Sequence, residues 1–272
     1  MNRFPFYIGW SADVPPKALQ RARAFLLLAC CLFGVGGAWL ALAQGEFSNA
    51  VFEYGQATEL EGVLVTRPAP ALKVAVGDAG SETYQRVLLV GYGKFGATGI
   101  LQTVAEREGF DLDGRRVKVR GSLLYRDGKA LLELSEGDAA FLEIGQPRSL
   151  SSSRELYGET SLSGEILDAK CYFGVMKPGE GKPHRSCAVR CLSGGIPPVM
   201  KARLADGRLE YVLLVGPNGE QITDRLLDFV AEPVSLCGRA ERLDDWWVLY
   251  VDLNQGVGRL GLSYPADIPM CR

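Results

Sequence analysis

Residues Phe25 to Ala43 read FLLLACCLFGVGGAWLALA, 19 residues without a charge. As a helix, that run is just long enough to cross the hydrocarbon core of a bilayer, roughly 30 Å. It is the one long apolar run in the 272-residue chain, so a polytopic transporter is excluded. Arg3, Lys17, Arg21 and Arg23 precede it, and Glu46 and Glu53 follow. The positive-inside rule therefore puts residues 1–24 in the cytoplasm, a transmembrane anchor at 25–43, and the rest outside. Ala41-Leu42-Ala43 before Gln44 also fits the small-x-small pattern of a cleaved signal peptide. The leader before the span contains RFPFYIGWSADVPP, longer and more aromatic than an ordinary signal n-region, and this favours the uncleaved anchor. In a bacterial-type envelope the expectation is a single-pass inner-membrane protein with most of its chain in the periplasm, where unprotected cysteines oxidise. Cys30 and Cys31 fall in the span and read as small apolar filler.

The remainder is globular and mainly β. Apolar residues make up 47 % and charged residues 23 %, enough for a real core. The formal net charge of −2 offers no basic field for nucleic acid, so no nucleic-acid partner is expected. Two segments share an order of features. In the first, Glu59–Val65, Leu72–Val76 and Tyr84–Val90 alternate or run apolar as strands. Ile100–Glu108 reads as a helix, and Arg116–Tyr125 and Ala130–Leu134 form a hairpin. In the second, Ser163–Leu167, Val199–Leu204 and Leu209–Val215 read as strands. Ile222–Val230 reads as helical, and Pro233–Leu243 and Trp246–Leu253 form a hairpin across Asp244-Asp245. Val87-Leu88-Leu89-Val90-Gly91 matches Val212-Leu213-Leu214-Val215-Gly216, and Val117-Lys118-Val119-Arg120-Gly121 matches Val234-Ser235-Leu236-Cys237-Gly238. Three strands, a helix and two strands is the order of a five-stranded OB-type barrel. The expected fold is one N-terminal transmembrane helix followed by two tandem OB-like five-stranded barrels, at 57–146 and 158–255. A linker spans 147–157 and a tail 256–272.

Gly91-Tyr92-Gly93-Lys94-Phe95-Gly96 has the spacing of a dinucleotide fingerprint. The surrounding elements cannot build a doubly wound domain, so it reads as a turn leading into a helix. Trp246-Trp247 on the last hairpin should put one ring in a core and the other toward a surface.

The chemistry concentrates in residues 164–198, GEILDAKCYFGVMKPGEGKPHRSCAVRCLSGGIPP. Three of the seven Cys and the only His lie there, spaced Cys171-x12-His184-x2-Cys187-x3-Cys191. Cys187 and Cys191 share one face if the segment is helical. Thiolates and an imidazole from a loop and one helical turn can close around zinc or copper, with Cys171, His184, Cys187 and Cys191 as ligands. Met176 could add a thioether, and Asp168 could orient His184. Thiol redox chemistry is a second reading. Lys170, Lys177, Lys182, Arg185, Arg190, Lys201 and Arg203 stand against one acid, Glu180, a local excess of +6 that would favour thiolate. A structural disulfide is the third: Cys171 could pair with Cys187 or Cys191, leaving an odd cysteine for Cys237. With the only His inside this cluster, no Ser-His-Asp set is available, and an enzyme is the less favoured class.

The string GEILDAKC…HRSCAVRCLSGGIPP resembles a motif of a bacterial family of exported or membrane-anchored proteins of unknown function. Its pattern is approximately G-E-[IV]-x-D-x-K-C, then H-x-x-C-A-x-x-C and G-x-P. The Phe6-Tyr7-Ile8-Gly9-Trp10 segment is similar to that family as well. The resemblance implies that Cys171, His184, Cys187 and Cys191 belong together, and that relatives accompany respiratory or molybdopterin oxidoreductases. The function expected is therefore a membrane-anchored, metal-binding accessory or assembly subunit of an envelope complex, with Phe4–Trp10 and the span as partner contacts. The alternatives are an envelope thiol-disulfide oxidoreductase using Cys187 and Cys191, or a disulfide-stapled interaction module.

Overall fold

The computed structural model describes residues 14–44, 48–77, 83–150, 152–204, 207–254 and 257–261. The expected contact segment Phe4–Trp10 lies outside these residues. The chain divides into two compact units, Met1–Phe47 and Ser48–Arg272.

Among its described residues the first unit holds one helix, α1, Pro16–Ala43. Pro15 and Pro16 start it, since a proline in the first turn forfeits no intrahelical hydrogen bond. The helix has the length and apolar composition to cross a membrane, and none of its residues is buried.

The second unit contains two closed five-stranded barrels. The first is built from β1 (Val51–Phe52), β2 (Thr58–Val65), β3 (Ala71–Ala75), β4 (Tyr84–Gly91), α2 (Thr98–Glu108), β5 (Arg115–Arg126), β6 (Lys129–Leu134) and β7 (Phe141–Pro147). Strands β5-β2-β3-β4-β6 close on themselves through a β5–β6 pairing, with β1 and β7 added along β5. The second is built from β8 (Arg154–Asp168), α3 (Arg185–Ser193), β9 (Pro198–Arg203), β10 (Leu209–Val215), α4 (Thr223–Leu226), β11 (Pro233–Leu243), β12 (Trp246–Val251) and β13 (Val257–Arg259). Strands β8-β9-β10-β12-β11 close in the same order. In each barrel the third and fifth strands, β4 with β6 and β10 with β12, form the one parallel pair of the ring.

The repeated strings of the sequence occupy equivalent places. The two VLLV strings lie in β4 and β10. Both strings are continuous apolar runs because both faces of the strand are buried there. Val87 and Leu89 point into the first barrel and Val212 and Leu214 into the second. Leu88, Val90, Leu213 and Val215 point outward into a third core that the two barrels share. The repeated glycines, Gly121 and Gly238, sit where the fourth strand crosses its neighbour. A Cβ there would lie 2.3 Å from the Glu133 carbonyl oxygen in one barrel and 2.2 Å from that of Tyr250 in the other. Only glycine permits that approach.

Polar contacts reinforce the shared core. Lys73 and Arg86 of the first barrel hold Asp244, at the predicted Asp244-Asp245 turn, at 3.2 Å and 2.7 Å. Trp246 is fully buried in the shared core, and its Nε1 donates to the Arg86 carbonyl at 3.0 Å. Trp247 faces the other way and meets the Tyr157 ring at 4.5 Å. Several segments differ from the sequence expectation. Strand β8 begins nine residues before Ser163, because it follows β11 as a paired ladder where no burial pattern marks it. Strand β7 was not expected, and the start of the predicted tail forms β13 on the edge of β11.

Candidate metal centre

The site grows out of the end of β8. Asp168, fully buried, closes that strand, and its Oδ1 accepts the backbone N–H of Cys171 at 2.7 Å. This fixes a single π-helical turn, Cys171–Val175, whose Tyr172 and Phe173 rings plug the shared core. Phe173 packs edge-on against Tyr211 and Trp246, with centroids 5.0 Å and 5.9 Å apart. The chain then loops back over the turn. Gly179 lies so close that a Cβ would stand 2.8 Å from Tyr172 Cα, and the Gly181 N–H donates to Glu165 Oε1 at 2.5 Å. Burial pushes the Glu165 carboxyl above its ordinary range. A 3-10 turn, Lys182–His184, leads into α3, which presents Cys187 and Cys191 one turn apart on the same face, as their spacing predicted.

These elements bring the three cysteines together. Cys171 Sγ lies 3.9 Å from Cys187 Sγ and 3.8 Å from Cys191 Sγ. All three are free thiols, so the disulfide reading of this loop is not the arrangement found. Cys237, offered by the sequence as a partner for an odd cysteine of the cluster, is engaged in a disulfide of its own. Cys171 and Cys191 are buried, and Cys187 is half-buried.

His184 is 2 % exposed and lies near Cys171 without grouping with the other two thiols. Its Nε2 donates to Asp168 Oδ2 at 2.9 Å, the orienting role the sequence suggested for Asp168. Among the described residues, two groups have ligand atoms close enough to share an ion. They are Cys171, Cys187 and Cys191, and Asp168, Cys171 and His184. The four expected ligands thus fall into two overlapping sets joined at Cys171. Met176, the suggested thioether donor, is exposed to solvent.

The first barrel contributes a residue that the sequence reading missed. Lys94 Nζ donates to Cys187 Sγ at 2.8 Å and lies 3.8 Å from Cys191 Sγ. The glycines around it explain how it arrives. Gly96 N–H donates to the Gly194 carbonyl at 2.9 Å, and a Cβ on Gly194 would lie 1.9 Å from the Lys94 carbonyl oxygen. Gly91-x-Gly93-x-x-Gly96 is therefore a docking loop that brings one barrel's backbone against the end of α3. Lys170, buried, clamps the same loop: its Nζ donates to the Gly91 and Gly93 carbonyls at 2.8 Å and 2.7 Å and pairs with Glu133.

The electrostatics of the cluster follow from these contacts. The Cys191 thiol is held below its ordinary range by the hydrogen bond from Cys171, with the Lys94 charge adding to the effect. Cys171 is pushed up as the donor of that bond, by burial and by Asp168. The Lys94 ammonium is held above its usual range by its bond to Cys187. The +6 excess around the cysteines is smaller in space than in sequence. Lys170 pairs with Glu133, Arg185 with Glu232, and Lys201 with Glu180. The cation that acts on the thiols comes instead from the other barrel.

No protein-family model matches this sequence, and no curated protein matches it.

Proposed function

We propose that the chain is an envelope protein that holds a transition metal, zinc or copper, on Cys171, Cys187 and Cys191, with His184 beside Cys171 as the candidate fourth ligand. One observation carries this reading: three free thiols, two of them buried, at separations of 3.8 and 3.9 Å. Four ligands around zinc at about 2.3 Å place neighbouring sulfurs roughly 3.8 Å apart. The donor set is equally suited to Cu(I). The thiols sit beside a hydrophobic core, where unligated thiols gain only weak S–H···S hydrogen bonds from such convergence. A metal would supply the attraction that draws three thiolates together.

The rest of the proposal rests on sequence and topology. Helix α1, with Lys17, Arg21 and Arg23 in its first turns, is read as an uncleaved anchor with the barrels on the periplasmic side of the inner membrane. The strand order with one parallel pair, and a helical segment between third and fourth strands, supports an OB-type assignment for both barrels. The docked barrels and the resemblance of residues 164–198 support an accessory or assembly subunit of an envelope membrane complex rather than an enzyme. With its net charge of −2, we propose no nucleic-acid ligand.

The Lys94–Cys187 contact favours one second reading, thiol-disulfide exchange with Cys187 as the attacking thiolate. One experiment separates the two. The full chain, purified in detergent without chelators, is assayed for bound metal and free thiols, alongside Cys171→Ser. About one equivalent of zinc or copper, lost in the variant, is expected. A metal-free protein whose cluster thiols cycle with a disulfide substrate would replace the metal reading with the exchange reading.

A further inference from the structure

If the cluster holds a metal, what closes its fourth face decides which metal it takes. Zinc in protein sites is almost always four-coordinate, so a zinc site needs one more ligand than the three thiolates. Two other protein donors lie nearby, and neither groups with Cys187 and Cys191. Asp168 uses both oxygens, one on the Cys171 N–H at 2.7 Å and one on His184 at 2.9 Å. His184 gives Nε2 to Asp168 and keeps Nδ1 as a lone-pair nitrogen, but its ligand atom groups with Asp168 and Cys171, not with Cys187 and Cys191. What does touch the thiol triad is Lys94, 2.8 Å from Cys187 Sγ and 3.8 Å from Cys191 Sγ. A protonated ammonium donates hydrogen bonds and has no lone pair for a metal.

We propose that this is a three-sulfur site for a soft monovalent ion, Cu(I), in which Lys94 of the first barrel caps the thiolates and His184 is not a ligand. The inference rests on the metal reading above and names its ion. Soft thiolates suit Cu(I), which accepts three-coordinate sulfur where Zn(II) seeks a fourth donor. Charge points the same way. Three thiolates around a monovalent ion keep two negative charges, and around a divalent ion one. The larger residual charge, half-buried beside an apolar core, needs a cation in contact with sulfur, and Lys94 is that cation. Lys94 is then a positioning and specificity residue. It also gives the first barrel, which has no Cys and no His between 57 and 146, a part in the site. Its delivery is built into the backbone: the Gly96–Gly194 hydrogen bond and the Lys170 clamp hold residues 91–96 against α3.

The test uses the reduced full-length chain in detergent under anaerobic conditions. Cu(I) is loaded against a competing chelator of known affinity, Zn(II) is loaded separately, and the copper shell is read by X-ray absorption. The expected result is one Cu(I) per chain with three sulfur neighbours and no imidazole scattering. His184→Ala keeps that three-sulfur signal. Lys94→Met, at an exposed side chain that the fold does not need, weakens Cu(I) binding by about 10–100-fold, the range found for groups that hold metal ligands in place. Imidazole in the metal shell of the unaltered protein, whichever ion is bound, would overturn the inference and leave the metal centre standing. Unchanged Cu(I) affinity in Lys94→Met would overturn the role of Lys94. Failure of the reduced protein to bind either ion would overturn both this inference and the metal reading.

Discussion

The two barrels share one strand order and differ in where they spend their insertions. The first places its long helix, α2, between third and fourth strands and keeps its first two strands joined by a short turn. The second reduces that helix to α4 and a single 3-10 turn, and opens instead between its first and second strands. That opening, Ala169 to Pro197, holds the π turn, the glycine-rich loop and α3, and with them the cysteines 171, 187 and 191 and the His. A closed barrel tolerates insertion at a loop because its ring of backbone hydrogen bonds does not pass through it. The second barrel uses this freedom to carry chemistry. The first uses the equivalent of its third-strand exit, residues 91–96, to reach across and touch that chemistry with Lys94. Similar scaffolds thus carry the candidate site and the lysine that touches it.

That division of labour can be broken at several points, and the largest effect is expected at Lys170. Its ion pair with Glu133 joins the barrels with side chains 3 % and 4 % exposed. Lys170→Met leaves a buried carboxylate without its partner and frees the Gly91 and Gly93 carbonyls. A loss of about 3–5 kcal/mol in urea unfolding is expected. Arg107→Ala, breaking the exposed pair with Asp138, is the control and should cost about 1 kcal/mol or less. Equal effects from the two variants would mean that the barrels are not locked through Lys170.

Removal of the proposed metal comes next. A ligand bound only to the folded state at a free concentration one hundred times its Kd stabilises by about 2.7 kcal/mol. Chelation should therefore lower the unfolding midpoint. Because β4, β10 and the π turn share one core, amide protection should fall in both barrels together. Loss of protection confined to α3 and the loop before it would show that the first barrel does not sense the site.

The third break is at the backbone contact itself. Gly194→Ala forces a methyl to 1.9 Å from the Lys94 carbonyl oxygen, so the docking loop must move, at a cost of about 1–3 kcal/mol. Gly99→Ala, in open space on α2, should instead be neutral or stabilise by up to about 1 kcal/mol. Differential scanning of the pair reads this directly. A Gly194→Ala protein as stable as the Gly99→Ala one would remove the case for a docked loop.

Much of this architecture was legible in the sequence where burial and local turns wrote it. The VLLV strings, the Asp244-Asp245 turn and the Cys187–Cys191 spacing all found their places, and two closed barrels follow the predicted strand order. What escaped had no local signature. The first six residues of β8 are exposed and are held by pairing with β11, so no apolar period announces them. Strand β7 is likewise mostly exposed. Lys94 lies 93 residues from Cys187, and a lysine among glycines gives no hint of a thiol partner. The signal that could have found it is the second glycine pair, Gly194-Gly195. Two glycine-rich stretches, each too bare to pack a side chain, invite a close backbone approach to each other. The local charge excess misled for the opposite reason: ion pairs formed across the chain, Lys170 with Glu133 and Arg185 with Glu232, reduce it.

The smallest effect is expected at adjacent residues that point into different cores. Trp247 packs against Tyr157 at 4.5 Å on the second barrel's own side and is only half-buried. Trp247→Phe keeps an aromatic ring there and should cost about 1 kcal/mol or less, in the range of a single ring contact. The same change at Trp246 removes ring volume from the shared core and the indole donor that satisfies the Arg86 carbonyl at 3.0 Å, leaving that acceptor unpaired in a dry interface. Its cost should be larger by about 1–3 kcal/mol, the usual penalty for a buried group left without its partner. Urea midpoints of the two single variants measure the gap. If Trp247→Phe proves the costlier, the stability of this unit resides within the second barrel, and the shared core is a contact between two domains that each stand alone.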